Sequence, residues 1–134
     1  MPLYVTPFFA GLLALVYILL SARVIAVRKS ARIAIGDMGN AALLRRMRVH
    51  SNFAEYVPLT LLLLLMLELM GGTSWLLWIL GAALLVGRIF HAYGVSQEPE
   101  PLIFRMTGMI LTFSALVIAA LAALMLAANG AFAG

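Results

Sequence analysis

The stretch Arg45-Arg46-Met47-Arg48-Val49-His50-Ser51-Asn52-Phe53-Ala54-Glu55-Tyr56-Val57-Pro58, followed by the leucine-rich run 59–70, changes solvent as it proceeds. It opens on three arginines and ends in residues that only a core or a lipid phase would hold. This reads as a helix that begins near Ala41 outside the hydrocarbon, enters it, and continues to about Met70. Asn40 is suited to cap its start. Working outward, Gly71-Gly72-Thr73-Ser74 is a tight turn, with Ser74 a cap for the next helix. A third apolar run covers 75–93, a polar connection 94–101 carries Glu98-Pro99-Glu100-Pro101, and a fourth run covers 102–128. Upstream, the turn cluster Gly36-Asp37-Met38-Gly39-Asn40 separates the second helix from a first apolar run at 4–27.

A hydrocarbon core of about 30 Å takes about 20 apolar residues per helix, so four spans use most of the 134 residues. Hydrophobic residues make up 65% of the chain and charged ones 10%, against roughly a quarter charged in a soluble domain. Mean hydropathy is +1.10. The expectation is one domain, 1–134, folded as an all-α integral membrane four-helix bundle. The first apolar run is too long for a signal peptide, lacks a basic start and reads as a retained span.

The absence of cysteine excludes disulfides and thiolate chemistry from the chain itself, and two histidines are too few to build a metal site. The net charge of +4 is no nucleic-acid signature, because the basic residues flank the spans. All nine of them (Arg23, Arg28, Lys29, Arg32, Arg45, Arg46, Arg48, Arg88 and Arg105) fall at span ends facing one side. That side is expected to be cytoplasmic, with both termini outside. Trp75 and Trp78 mark the outer interface, Tyr56 and Tyr93 the inner one. The alanine-rich fourth span offers small residues for close helix packing, within the bundle or between subunits.

Arg48, Asn52 and Glu55 stand at i, i+4 and i+7, a polar stripe about 10 Å long on one helical face. Facing lipid it would be costly, so it should face protein or a water-lined cavity. Pro58 leaves the Ala54 carbonyl without its helical donor beside Glu55. Such a stripe fits either a network that fixes helix packing or a site for a ligand bearing carboxylates and an amine. Arg28, Lys29, Arg88, His91 and Arg105 reach the same depth with few carboxylates to neutralise them. This favours an anionic ligand, with Glu98, Glu100 and anionic lipid headgroups taking up some of the charge. Glu68 is expected to be structural, snorkelling at the outer interface, and His50 to make a surface or subunit contact.

The run Arg48-x-x-x-Asn52-x-x-Glu55 with Pro58 soon after resembles the second-helix signature of the MAPEG family, the membrane-associated proteins in eicosanoid and glutathione metabolism. Val24–Lys29 looks like the basic end of that family's first helix, and Gly87-Arg88-Ile89-Phe90-His91 like its third-helix motif. The resemblance implies a homotrimer in a bacterial inner membrane, binding glutathione as co-substrate in cytoplasmic-side clefts between subunits. By position, Arg28, Arg48, Asn52, Glu55, Tyr56 and His91 would contact glutathione, and Arg105 would act on the thiol. An arginine there favours the thiolate, the reactive form of a thiol whose ordinary pKa is about 8.5. The implied reaction is glutathione conjugation or peroxide reduction with lipophilic compounds reaching the site from the membrane lipids. Lys29 stands where some members carry a second arginine, and Val95 where a tyrosine is common. A binding or scaffold protein that keeps the pocket without turnover is the alternative. A small multidrug exporter is disfavoured, because the first span has no carboxylate to carry protons.

Overall fold

Inside a bilayer every backbone N–H and C=O needs a partner from the chain itself, so long apolar segments become helices. In a computed structural model, which describes residues 2–133, the chain forms four of them. They are α1 (Val5–Ala31), α2 (Ala41–Leu69), α3 (Ser74–Ser96) and α4 (Leu102–Phe132), and all four are long and apolar enough to cross a membrane. The connections are short, so successive helices run antiparallel and the fold is an all-α membrane four-helix bundle. Every lysine and arginine lies toward the end that carries the 32–40 and 97–101 connections.

The helices overrun the expected apolar spans: α1 continues to Ala31, α3 to Ser96 and α4 to Phe132. A helix outside the hydrocarbon goes on until a turn stops it. For α1 the stop is Arg32, left-handed at φ 56°, whose N–H bonds to the Arg28 carbonyl. Asn40 caps α2 as its position suggests, Oδ1 accepting from the Leu43 N–H at 3.0 Å. Ser74, read as a cap, is instead the first residue of α3. Thr73 takes the cap position, its carbonyl accepting from the Leu77 N–H at 3.2 Å.

At the end away from the basic residues, Glu68 does not snorkel. It is buried, and its carboxylate accepts the N–H groups of Tyr4 and Val5 at 2.8 Å and of Thr6 at 2.7 Å. These are donors that a helix N-terminus leaves unpaired, and a negative charge suits that end of the helix dipole. Leu64 and Leu67 of α2, Leu77, Leu80 and Leu84 of α3 and Phe9 and Leu13 of α1 form the core between the helices.

The α3–α4 crossing positions the site. Gly87 and Gly108 meet backbone to backbone: a Cβ on Gly108 would lie 2.6 Å from both the Gly87 carbonyl oxygen and the His91 nitrogen. One on Gly87 would lie 2.9 Å from the Gly108 carbonyl oxygen. Only glycine permits this approach. Further along α4 the small-residue face divides, with Ala115 and Ala119 packed inside while Ala127 and Ala128 are exposed.

Candidate functional site

With α3 and α4 drawn together at Gly87 and Gly108, the side chains on either side of the crossing are brought against α2. Arg48 and Asn52 from α2, His91 and Val95 from α3, and Arg105 and Met109 from α4 line a cavity of about 340 Å³. Its lining carries two guanidinium groups, an imidazole and an amide, and no carboxylate. Of the residues singled out in the sequence, this cavity gathers Arg48, Asn52, His91 and Arg105. Arg28, Glu55 and Tyr56 lie outside its lining.

Beneath the cavity sits Arg88, which the sequence marked as one cation among several and as part of the third-helix motif, without a role of its own. It is 2% exposed, and it ties three helices together. Nε donates to Thr112 Oγ1 at 3.0 Å, Nη2 to Met109 Sδ at 3.3 Å, and Nη1 to Asn52 Oδ1. The Thr112 hydroxyl spends its proton on the Gly108 carbonyl at 2.8 Å, so a lone pair is free to face Arg88. Arginine has donors only, so Asn52 must turn its oxygen to Arg88 and has its NH₂ left to offer the cavity. Among the described residues no carboxylate pairs with Arg88. The sequence puts it near a span end, but α3 runs on to Ser96, so Arg88 lies about two turns inside the helix, where a charge faces the bundle interior.

At the mouth, one acid serves two cations. Glu100 holds Arg45 Nη1 at 3.1 Å and Arg105 Nε at 2.8 Å, and Arg45 also donates to the Val95 carbonyl at 3.2 Å. Glu98, expected to share this task, makes no ion pair among the described residues. The α3–α4 connection is thereby fastened over the basic end of α2.

The remaining predicted contacts have other surroundings within one chain. Arg28 is engaged with the α1–α2 connection, donating to the Gly36 carbonyl at 2.8 Å and to Met47 Sδ at 3.4 Å. Tyr56 is half-buried edge-on against Phe113, with centroids 5.1 Å apart. Glu55 is exposed on α2 away from the cavity, whereas Arg48, also exposed, borders it. His50 is an internal fastener: Nε2 lies 3.0 Å from Ser21 Oγ, and its ring stacks on Tyr17 at 4.8 Å. Close by, an apolar groove of about 390 Å³ between α1 and α2 runs past Tyr17, Phe53, Ala54 and Pro58.

Residues 6–125 match the MAPEG family. The chain is also similar to the inner membrane protein YecN of Escherichia coli strain K12, with 36% identity over 118 residues, 88% of each chain. YecN of Escherichia coli O6:H1 matches to the same extent.

Proposed function

This chain belongs to the MAPEG family, and from that premise we propose that it binds glutathione at the basic end of the bundle and activates its thiol toward lipophilic electrophiles or peroxides. Membership suggests a glutathione-related function at a membrane; the finer reading rests on the cavity. Glutathione carries two carboxylates, one amine and a thiol. The cavity has no carboxylate in its lining, Arg48 and Arg105 in its wall and Arg88 beneath it. Of these cations only Arg105 has an acidic partner, so a bound anion would supply the counter-charge that Arg48 and Arg88 lack among the described residues. That observation carries the proposal.

Arg48 and the Asn52 amide would hold carboxylate or carbonyl oxygens, and His91 would line the peptide portion. Arg105 would lie at the thiol, where a positive charge favours the thiolate. In conjugation the thiolate sulfur attacks the electrophilic carbon, the C–S bond forms, and the leaving group departs with its electron pair. Glu55 is a carboxylate exposed at membrane depth in a single copy, and facing lipid it would be costly. A homotrimer resolves this: a neighbouring copy covers α2, Glu55 meets the glutathione amine, and Tyr56 and Arg28 complete the shell from either side. Similarity to an inner membrane protein supports the same location here. The basic loops would then face the cytoplasm, where glutathione is held.

Titration of the detergent-purified protein with glutathione tests this, read by heat of binding and by thiolate absorbance in the ultraviolet, followed by turnover with a generic electrophile. Saturable binding with a thiolate signal is expected; no binding at millimolar glutathione would end the proposal. One observation favours a second reading, binding without turnover: the Arg105 cation is already paired with Glu100 at 2.8 Å. Binding without a thiolate signal or product would select it.

A further inference from the structure

The α1–α2 connection carries a second basic recess, separate from the cavity; it shares Arg28 with the proposed glutathione shell, but its free cations, Lys29 and Arg32, are ones that reading does not use. Ile25, Arg28, Lys29, Arg32, Ile33 and Ala34 line a space of about 350 Å³ at the end of α1. Its floor is built by Arg28, whose guanidinium reaches the carbonyls of Ile33 and Gly36 and folds the connection back onto the helix. Ile33 is buried beneath it. Lys29 and Arg32 are exposed, and among the described residues neither has an ion-pair or hydrogen-bonding side-chain partner. Asp37, the acid of this connection, accepts from the Gly39 N–H and makes no ion pair among the described residues, and Glu100 is taken by Arg45 and Arg105.

Depth decides what meets these cations. Counting about 20 residues of hydrocarbon span from Val5 reaches Ile25. Lys29 lies one helical turn beyond, roughly 6 Å further along the axis. Ile25 is therefore at the acyl boundary and Lys29 at the level of the lipid phosphates. Ile35 and Met38 of the connection are 87% and 80% exposed, apolar side chains that are unfavourable in water and well suited to the interfacial layer. Two unpaired cations directly above an exposed apolar step match a phosphodiester above an acyl chain.

We infer that this recess is a binding site for an anionic phospholipid, its phosphate held by Lys29 and Arg32 and its acyl chain lying along Ile25. Each basic residue at a membrane surface contributes a factor of about five in affinity for anionic lipid, so removing both should weaken retention roughly 25-fold.

The test is native mass spectrometry of the detergent-purified full chain titrated with phosphatidylglycerol and with phosphatidylcholine. Preferential retention of phosphatidylglycerol is expected, lost in the double variant Lys29→Gln/Arg32→Gln and kept in the charge-preserving pair Lys29→Arg/Arg32→Lys. Equal retention of the two lipids by the natural chain, or undiminished selectivity in a folded double variant, would overturn the assignment. Displacement of the lipid from the natural chain by millimolar inorganic phosphate would also overturn it, since the recess would then be a soluble-anion site. Phosphate competition and the charge-preserving pair remain decisive should the double variant fail to fold.

Discussion

Arg88 and Asn52 are joined by a hydrogen bond that sets the polarity of the cavity beside them: the guanidinium of α3 takes the amide oxygen of α2. What Asn52 has left for a ligand is a donor. The pair also helps a nearly fully buried arginine persist without a carboxylate, because Thr112, Asn52 and Met109 each accept from one of its three nitrogens.

Asn52→Asp separates the two roles of that residue. Arg88 gains a carboxylate partner, so thermal unfolding in detergent should occur at the natural temperature or higher. The cavity loses a donor and acquires a negative charge, so glutathione affinity should fall by roughly 10- to 100-fold, the worth of a hydrogen bond involving a charged group. A stable variant that binds glutathione as the natural chain does would show that Asn52 makes no donor contact.

Arg105→Gln should lower turnover at saturating glutathione more than it weakens binding, because its proposed work is at the thiol. Loss of the thiolate absorbance with affinity changed by less than about tenfold, about 1.4 kcal/mol, is the expected signature. A reversed pattern, with affinity lost and the rate per bound molecule intact, would assign Arg105 to anchoring instead.

Gly108→Ala tests the helix crossing. Its new Cβ would stand 2.6 Å from Gly87 and His91 backbone atoms that cannot move without parting α3 from α4. A loss of about 1–3 kcal/mol in stability, typical of overpacking, should accompany weakened glutathione binding. Gly11→Ala, where nothing lies within 4 Å, is the matched control and should be neutral or slightly stabilising.

Glu68→Gln removes the charge that caps α1 while keeping its shape. Stability should drop by about 1–2 kcal/mol, read as a lower unfolding temperature. Glutathione binding should be unchanged, since Glu68 lies at the opposite end of the bundle from the cavity. Equal loss of binding would mean that the two ends are coupled or that the ligand site is misplaced.

The sequence was most legible where one helix decides the outcome. The four apolar runs follow from composition, the Asn40 cap from local chemistry, and the shared face of Arg48 and Asn52 from helical spacing. What could not be read depends on where two helices meet. The role of Arg88 follows from the Gly87–Gly108 crossing, which turns Thr112 and Met109 toward it. Glu68 becomes a cap only because the end of α2 reaches the start of α1. The stripe itself was half legible: Arg48 and Asn52 border the cavity, whereas Glu55 is carried to the outer face of α2. Spacing cannot say which part of a face its neighbours cover.

Glu68 also imposes an order on biogenesis. The carboxylate that satisfies Tyr4, Val5 and Thr6 is encoded 62 to 64 residues downstream of them. As the chain leaves the ribosome, α1 can enter the bilayer long before its own first turn can be completed. That turn is finished only when the far end of α2 arrives beside it. If the basic end faces the cytoplasm, as proposed, the charge of Glu68 crosses the membrane to get there, and the waiting N–H groups of α1 give it a destination. The first two helices are therefore best regarded as a single insertion hairpin, closed at its far end by its last acidic residue.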